Sequence, residues 1–259
     1  MNRIIDYQTL SSQIQKWIID YVNQNNIKTL VVGVSGGIDS AVVSTLCAKT
    51  GIPTIAVGMP INSTVNNTEL SNTQLEYLKQ YDVKTNSIDL SLIYNSFNQL
   101  MVSDFSSDLG FANTKSRLRM VTLYQIAASN NGIVVGTGNK VEDFGVGFYT
   151  KYGDGGVDIS PIADLYKTEV RELGRYLDIP QEIINATPTD GLWDDDRNDE
   201  SQIGATYEEL EWVMEYGTKK QVYTKKEFSI LEIYQHLNGK NNHKMVPIPI
   251  FDLKENEII

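Results

Sequence analysis

The stretch VVGVSGGIDSAVV, residues 31–43, sets two glycines, two serines and an aspartate between two apolar runs. The valines are typical of a buried strand, and the pattern from Asp39 to Lys49 predicts a helix. A strand, a Gly-Gly turn and a helix in this order place several backbone N–H groups at a helix N-terminus, where an anion can bind. Gly36 and Gly37 permit positive φ and a close approach of the backbone, so the stretch favours a phosphate pocket over a plain turn.

The same alternation of strand and helix continues along the chain. Short apolar runs predict buried strands, and apolar residues at helical spacing predict the helices between them. This order predicts an α/β fold, a doubly wound parallel sheet with helices on both faces, in a single domain over residues 1–259. We predict strands at 29–34, 53–60, 83–90 and 132–139, helices at 8–24, 39–49, 68–81, 91–104, 114–129, 164–177, 206–216 and 225–238, and an acidic exposed linker at 189–204.

Composition narrows the classes of function. The chain has 259 residues, 41% of them apolar, and a formal net charge of −11. A broad nucleic-acid-binding face needs a basic stripe, so the acidic balance argues against a nucleic-acid partner. The sequence has no apolar run long enough to span a bilayer and no apolar core of a secretory signal, so we expect no membrane partner. The single cysteine, Cys47, excludes an internal disulfide framework and a Cys-rich zinc site and fits a reducing cytoplasm.

Charged residues near the glycines indicate a bound cation. A carboxylate such as Asp39 repels phosphate unless a cation lies between them, and Mg²⁺ prefers carboxylate and phosphate oxygens together. The sequence therefore predicts Mg²⁺ as cofactor, with the hydroxyls of Ser35 and Ser40 as further donors to the anion. Residues 136–168 form a second cluster of glycines, acids, lysines and aromatics after a predicted strand. Ligands bind at that edge of a parallel sheet, so this long loop is predicted to be functional.

The motifs resemble two nested families. Neither a Walker A motif nor the Rossmann G-x-G-x-x-G is present, but SGGIDS at 35–40 is similar to the loop with which ATP pyrophosphatases hold the departing pyrophosphate. Within that group, most of the chain resembles the NAD synthetase family. The resemblance is carried by SGGIDS, NTKSRLRM (113–120), GTGN with Glu142, TKYGDGGVDISP (150–161), Lys167, PTDGLW (188–193), Asp199–Glu200 and HKMVP (243–247).

The resemblance implies a reaction. In it the nicotinate carboxylate of deamido-NAD attacks the α phosphate of ATP, pyrophosphate leaves, and ammonia then displaces AMP from the acyl-adenylate. The resemblance also implies an adenine nucleotide α-hydrolase-like fold and a homodimer whose interface builds part of the dinucleotide site, for which Trp17 and scattered tyrosines are candidates. Relatives that use glutamine carry an extra amidase domain that is not recognised in this sequence. We therefore expect ammonia as the nitrogen source, either free or from a separate partner.

The resemblance also assigns roles to residues. It implies that Asp39 and Glu142 hold Mg²⁺ and that Asp39, Lys167 and Thr189 are catalytic. Between Glu142 and Thr150 the chain has one residue more than the family pattern, which leaves Asp143 as an alternative metal ligand. The implied ATP-binding set is Ser35, Gly36, Gly37, Asp39, Ser40, Arg117, Thr137, Lys167 and Thr189, and the implied deamido-NAD-binding set is Lys151, Asp154, Asp158, His243 and Lys244.

Other interpretations predict different properties. A tRNA-modifying ATP pyrophosphatase would need a basic RNA surface and usually further cysteines. GMP and asparagine synthetases share the first loop but are expected to lack TKYGDGGVD. A non-catalytic nucleotide-binding module has little use for Asp39, Glu142 and the lysines together. Turnover of ATP to AMP and pyrophosphate only in the presence of a second substrate distinguishes an enzyme from such a module.

Overall fold

A parallel sheet lies at the centre of the computed structural model, which describes residues 3–4, 6–189, 191–193 and 198–252. Its four strands are β1 Thr29–Gly33, β2 Thr54–Gly58, β3 Lys84–Ser87 and β4 Gly132–Val134, in the order β3-β2-β1-β4. Val31 of β1 pairs with Ile55 of β2 on one side and with Val134 of β4 on the other. The strand order therefore reverses at β1, and the reversal opens a crevice at the carboxyl ends of β1 and β4.

Helices connect and cover the strands. Their bounds are α1 Tyr7–Gln24, α2 Ile38–Lys49, α3 Val65–Leu78, α4 Ser91–Met101, α5 Asp108–Ser129, α6 Lys167–Tyr176, α7 Gln181–Ile184, α8 Asp199–Ile203, α9 Tyr207–Glu215 and α10 Lys225–Met245. Two 3₁₀ turns, Lys79–Tyr81 and Gly217–Lys219, and a π-helical turn, Val141–Val146, complete the list. Within the described ranges no helix has both the length and the apolar character that a bilayer span requires.

The two faces of the sheet pack into separate apolar layers. Leu30 and Val32 of β1 lie in a layer with α1, α2, α6 and α7, whereas Val31 lies in a layer with Tyr94 of α4 and Ala127 of α5. This alternation follows from the two-residue period of a strand and confirms the doubly wound prediction. Cys47 is fully buried in the first layer, and burial raises the pKa of its thiol to about 12, as expected for a core residue.

A third apolar cluster lies at the C-terminal end of the described chain. It unites the π-helical turn with α8, α9 and α10, and we call it the C-terminal cluster. Its buried members are Val141, Val146, Tyr166, Ile203, Ala205, Tyr207, Leu210, Val213, Ile230 and Leu231. The prediction of an exposed linker at 189–204 is wrong for its end, because Asp199 and Ile203 are buried in α8. Residues 190 and 194–197 of that segment lie outside the described residues.

Several element bounds differ from the predicted ones, each for a local reason. Helix α5 begins at Asp108 because the Ser107 hydroxyl caps it by accepting a hydrogen bond from the Gly110 N–H at 3.1 Å. Helix α10 continues to Met245 and so carries the HK pair of the tail. Strand β4 ends at Val134, after which a single bridge joins Val135 to Ile159. The TKYGDGGVDIS segment therefore returns along the edge of the sheet.

Candidate active site

The phosphate loop, residues 35–40, follows β1 and is held in shape by its own serines. The Ser40 hydroxyl accepts from the Ser35 N–H at 3.1 Å and donates to the Gly37 carbonyl at 2.9 Å, and the Ser35 hydroxyl accepts from the Gly37 N–H at 3.2 Å. Gly36 has φ of +95°, and a Cβ there would lie 2.9 Å from the Leu70 Cβ. Only glycine fits that position, and the first N–H groups of α2 have no acceptor within the helix.

Three charged side chains from three helical segments meet at the phosphate loop. The Lys167 ammonium donates to the Asp39 carboxylate at 2.5 Å and to Oε1 of Glu142 at 2.9 Å, and Lys167 is 3% exposed. We call these three residues the charge cluster. Asp39 stands in the first turn of α2, Glu142 in the π-helical turn after β4, and Lys167 at the start of α6. Residues far apart in sequence are thereby joined at the reversal of the strand order.

Burial and ion pairing shift the pKa values of the charge cluster in opposite directions. Burial raises the pKa of Asp39, and the nearby Glu142 carboxylate adds to the increase in spite of Lys167. Burial would also raise the pKa of Glu142, but the Lys167 charge and the hydrogen bonds from Tyr207 and Lys167 outweigh it and hold that pKa below its usual value. Burial lowers the pKa of Lys167, but two carboxylates overcome that effect and raise it. Lys167 is therefore held as an ammonium ion.

Asn139, for which the sequence predicted no role, connects the charge cluster to the loop that follows β4. Its side-chain oxygen accepts from the N–H groups of Val141 and Glu142, each at 3.1 Å, and its Nδ2 donates to Asp39 at 3.2 Å. The side chain is fully buried. A single amide therefore both starts the π-helical turn and orients the aspartate of the phosphate loop. Its place in GTGN, at the end of a predicted strand, is the signal that could have indicated this role.

The π-helical turn decides which acid faces the cluster. Glu142 points toward Lys167, whereas the Asp143 carboxylate lies against Gly138, where a Cβ would come within 1.9 Å of it. Burial raises the pKa of Asp143 well above its usual value, and Glu142 adds to the increase. Asn238 and Asn241 of α10 hold the end of the turn through the carbonyls of Gly145 and Val146. The structure thus places Glu142 beside Asp39, whereas it gives Asp143 no contact with Lys167.

A second polar group surrounds the TKYGDGG loop, residues 150–156. Oδ1 of Asp154 accepts from the Ser116 hydroxyl at 2.6 Å and from the Thr150 N–H at 3.0 Å, while its other oxygen accepts no hydrogen bond from the described residues. Both oxygens of Asp158 are engaged, by the Val134 N–H at 2.7 Å and the Tyr124 hydroxyl at 3.1 Å. Asp154 therefore presents a free oxygen, whereas Asp158 ties its loop to β4.

The end of α10 closes over this loop through lysines. Lys244 donates to the carbonyls of Gly147 and Tyr149 at 2.8 and 3.0 Å, and Lys151 donates to the carbonyl of His243 at 2.7 Å. We call this arrangement the lysine clasp. Both ammonium groups bond to neutral carbonyls in it, so an anionic ligand could draw them away.

The NTKSRLRM motif lies on helix α5 and makes contacts that were not predicted from the sequence. Its side chains reach three separate loops, and polar residues at a spacing of three to four positions were the available signal. Asn113 accepts from the Thr150 hydroxyl, Lys115 donates to the Leu192 carbonyl, Ser116 bonds Asp154, Arg117 donates to the Lys151 carbonyl, and Arg119 donates to the Met59 carbonyl. The predicted ATP ligand Arg117 thus lies against the TKYGDGG loop.

Two predicted ATP ligands have fewer contacts. Thr137 lies in the loop after β4, two residues before Asn139, and its hydroxyl makes no hydrogen bond within the described chain. Thr189 directly precedes residue 190, which is not described. The neighbouring Gly191 lies near Asn67, whose carbonyl also approaches Gly36. Gly191 therefore lies close to the phosphate loop.

Comparison with known proteins decides the family. The sequence model described as NAD synthase matches residues 10–247. The chain belongs to the NAD synthase family. An NH(3)-dependent NAD(+) synthetase of Mesoplasma florum is 40% identical over 200 residues, which cover 76% of this chain and 80% of the relative.

Solved structures in the family share the fold. An NMN synthetase from Francisella tularensis superposes with a TM-score of 0.86 at 32% identity, over 96% of this chain and 100% of the other. An NH3-dependent NAD synthetase from Campylobacter jejuni, in complex with nitrate, gives a TM-score of 0.77 at 26% identity over 96% of this chain and 100% of the other. The predicted α/β fold is therefore confirmed.

The donor set is compatible with the Mg²⁺ that the family implies. The described residues contain no group of three or more His, Cys, Asp or Glu side chains that could hold a metal by themselves. They do bring two carboxylates, Asp39 and Glu142, around one cation, the Lys167 ammonium. Mg²⁺ is commonly bound by one or two carboxylates together with substrate phosphates and water. Two carboxylates beside a phosphate loop fit that mode.

Proposed function

We propose that the chain amidates deamido-NAD with ammonia at the expense of ATP, giving NAD, AMP and pyrophosphate. As a member of the NAD synthase family it is a ligase. One observation supports the assignment of this reaction to the charge cluster. Lys167 joins Asp39 and Glu142 directly beside the phosphate loop, so an ammonium donor and two carboxylates able to bind a cation lie together where a triphosphate would bind. The named NH(3)-dependent relative supports ammonia as the nitrogen source.

The proposed chemistry needs no side-chain nucleophile. The nicotinate carboxylate attacks the α phosphorus and the bond to pyrophosphate breaks. Ammonia then adds to the acyl carbon, loses a proton, and AMP leaves. The phosphate loop donates backbone N–H groups to the departing pyrophosphate, and Lys167 moves from the carboxylates to the phosphates, where it neutralises the developing charge. Thr137, Thr189 and Arg117 are proposed to complete the ATP site.

Asp39 and Glu142 are proposed to hold Mg²⁺ in this site. When bound there, the ion neutralises charge on the phosphates of ATP and of the leaving pyrophosphate. Glu142 is favoured over Asp143 as the second ligand because its carboxylate, and not that of Asp143, is joined to Asp39 through Lys167. Asn139 keeps Asp39 in place when the Lys167 ammonium leaves the carboxylates for the phosphates.

The nicotinate nucleotide is proposed to bind at the TKYGDGG loop. The free oxygen of Asp154 can accept a ribose hydroxyl, and Lys151, His243 and Lys244 lie around the same loop. Asp158 is proposed to act mainly by shaping this loop, since both its oxygens bond to the protein.

A second candidate substrate is the mononucleotide. The solved structure with the TM-score of 0.86 is named NMN synthetase, and it covers the same span of the chain. Amidation of nicotinate mononucleotide would use the same carboxylate and the same adenylate chemistry and would yield NMN. The two substrates differ only in the adenylate half, which a site built partly by a second subunit would contact.

One experiment tests both candidates. The purified chain is given Mg-ATP with ammonium chloride and either deamido-NAD or nicotinate mononucleotide, and NAD, NMN, AMP and pyrophosphate are measured. Parallel tubes contain glutamine in place of ammonium. We expect NAD and AMP in equal amounts with ammonium and deamido-NAD only. A higher kcat/KM for the mononucleotide would establish the second candidate, and no product from folded protein in any tube would reject both.

We also propose that the chain forms a homodimer through α4 and the start of α5. Helix α4 has no charged residue, and Leu92 and Leu100 on it are 79% and 76% exposed. Phe105 and Leu109 extend the exposed apolar surface. Such a patch on one helix favours burial against a second copy. This patch offers a larger exposed apolar surface than Trp17, which packs against Tyr21 of its own helix.

The homodimer is tested by light scattering of a Leu100→Asp variant. We expect the wild-type chain to be a dimer at micromolar concentration and the variant to be a monomer with a higher KM for deamido-NAD. Val222→Asp, at an equally exposed position between α9 and α10, is the control and should remain dimeric. A monomeric wild type or a dimeric Leu100→Asp would reject the proposed interface.

A further inference from the structure

Tyr207 connects the C-terminal cluster to the proposed metal site. It begins α9, is 0% exposed, and its ring packs with the apolar residues of that cluster. Its hydroxyl donates to Oε1 of Glu142 at 2.6 Å and lies 3.3 Å from Asp199. A phenol has one proton to donate, and because the contact with Glu142 is the shorter one, Tyr207 donates its hydrogen bond to Glu142. The buried end of Tyr207 therefore bonds to the carboxylate proposed to bind Mg²⁺.

The two donors to Glu142 share one oxygen. Lys167 at 2.9 Å and Tyr207 at 2.6 Å both reach Oε1, which leaves Oε2 on the other side of the carboxylate for a further partner. If Lys167 turns to the phosphates of ATP, Tyr207 is the donor that stays. The terminal torsion of a glutamate side chain, χ3, is broadly distributed. The Glu142 carboxylate therefore needs a second contact to keep one orientation.

The neighbours of Tyr207 are arranged to keep its hydroxyl in place. Glu200 accepts from the Tyr207 N–H at 2.9 Å, and Asp199 donates its own N–H to the Pro188 carbonyl at 3.1 Å. The Lys167 ammonium lies 5.0 Å from the centre of the ring. Within the Asp199–Glu200 pair, which carried part of the resemblance without an assigned role, Glu200 thus holds the backbone of Tyr207, and Asp199 lies beside its hydroxyl.

We propose that Tyr207 is a positioning residue that holds Glu142 through Oε1 and presents Oε2 to the divalent cation. The inference rests on the proposed function, in which Asp39 and Glu142 hold Mg²⁺. Partners of this kind behind a metal ligand commonly change metal affinity or activity by about 10–100-fold when removed. Tyr207 would act through Glu142 alone and would touch neither ATP nor the nicotinate nucleotide.

The test compares Tyr207→Phe, Glu142→Ala and the double variant. Tyr207→Phe keeps the ring, its packing and its contact with Lys167, and removes only the hydroxyl. Mn²⁺ binding is followed by electron paramagnetic resonance with an α,β-methylene analogue of ATP, and the Mg²⁺ concentration for half-maximal NAD formation is measured separately. Tyr223→Phe is the matched control, since the partners of its hydroxyl among the described residues are the backbone carbonyls of Gly217 and Lys220. Melting temperatures confirm that each variant is folded at the temperature used.

We expect Tyr207→Phe to bind Mn²⁺ about tenfold more weakly, Tyr223→Phe to match the wild type, and the double variant to bind no more weakly than Glu142→Ala. Wild-type affinity in Tyr207→Phe together with weak binding in Glu142→Ala would overturn the role of Tyr207 alone. Independent losses that add in the double variant would overturn it too. Unchanged Mn²⁺ binding in Glu142→Ala would instead reject the metal site of the proposed function.

Discussion

The charge cluster and the lysine clasp both contain lysines near acidic residues, but they use them differently. In the charge cluster, Lys167 bonds to two carboxylates and is almost completely buried. In the lysine clasp, Lys244 bonds to the carbonyls of Gly147 and Tyr149, and Lys151 bonds to the carbonyl of His243. The first arrangement is electrostatically paired before any ligand arrives, and the second joins two segments by weaker contacts.

The proposed roles of the two regions differ accordingly, since the charge cluster is proposed to act in catalysis and the lysine clasp in binding of the nicotinate nucleotide. Removal of a partner from a buried ion pair leaves an uncompensated charge and costs much more than loss of a neutral hydrogen bond at the surface. Changes in the charge cluster should therefore affect both turnover and folding. Changes in the lysine clasp should affect substrate affinity and leave the fold almost intact.

The largest effect is expected for Lys167→Met. The change keeps most of the side-chain volume but leaves Asp39 and Glu142 facing each other without a cation. We expect kcat to fall by about 10²–10³-fold, because a donor to the developing phosphate charge is lost. The free energy of unfolding should fall by about 3 kcal/mol, since two buried carboxylates lose their partner. Steady-state kinetics and urea denaturation measure the two effects.

Lys79→Met is the control for this change. Lys79 pairs with Glu76 on the exposed side of α3, so its removal should change neither kcat nor the free energy of unfolding by a measurable amount. A Lys167→Met chain with wild-type turnover would remove the lysine from the proposed reaction and would show that the cluster serves only to stabilise the fold.

The contribution of Glu142 to the pH dependence of stability should change sign when Lys167 is removed. In the wild type the pKa of Glu142 lies below its ordinary value of 4.5, so its contribution to stability is present above that pH and is lost as the pH falls. In Lys167→Met, burial dominates and raises the pKa of both carboxylates. Protonation then stabilises the folded state, so the stability gap between variant and wild type should shrink from pH 7 to pH 5.

Stability above pH 7 gives a second test of the comparison between the wild type and Lys167→Met. The raised pKa of Lys167 means that its contribution is complete below its ordinary value of 10.5 and is lost only as the pH rises through the higher folded value. The stability gap should therefore stay constant between pH 7 and about pH 10. Urea denaturation at five pH values, with Lys79→Met alongside, measures both limbs. A gap that widens toward pH 5 would contradict the assignment.

A smaller contrast is expected within the TKYGDGG region, between Asp158→Asn and Asp154→Asn. An amide at 158 cannot accept from both the Val134 N–H and the Tyr124 hydroxyl with the same geometry, so stability should fall by about 1–2 kcal/mol. An amide at 154 can keep Oδ1 for Ser116 and Thr150, so stability should be unchanged while KM for the nicotinate nucleotide rises about tenfold. Equal effects in the two variants would mean that both acids have the same role.

Much of the fold could be predicted from the sequence because its signals are local. Strands such as residues 29–34 are short apolar runs, and amphipathic helices such as α1 repeat with a helical period, so both were predicted. The early start of α5 depends on one serine cap in a polar loop, and the end of β4 depends on where the neighbouring chain diverges. Those features are decided by single contacts that a periodic pattern does not contain.

The site was predicted only as far as its motifs extend. Asp39, Glu142 and Lys167 stand in recognisable motifs, and the structure brings them together. Tyr207 and Asn139 were missed, because their roles arise from contacts between segments distant in sequence. The extra residue before Thr150 left the choice between Glu142 and Asp143 open, since the sequence did not predict the π-helical turn that sets the directions of the two side chains.

The smallest predicted effect is that of Lys244→Met in the lysine clasp. Burial lowers the pKa of Lys244, and its ammonium bonds two carbonyls that an anionic substrate can replace as partner. We expect KM for deamido-NAD to rise about fivefold, which corresponds to about 1 kcal/mol, with kcat and the melting temperature nearly unchanged. Lys226→Met, at the exposed start of the same helix, should change neither constant. A lower melting temperature with an unchanged KM would show that Lys244 stabilises the fold and does not bind substrate. The proposed difference between the charge cluster and the lysine clasp would then be wrong.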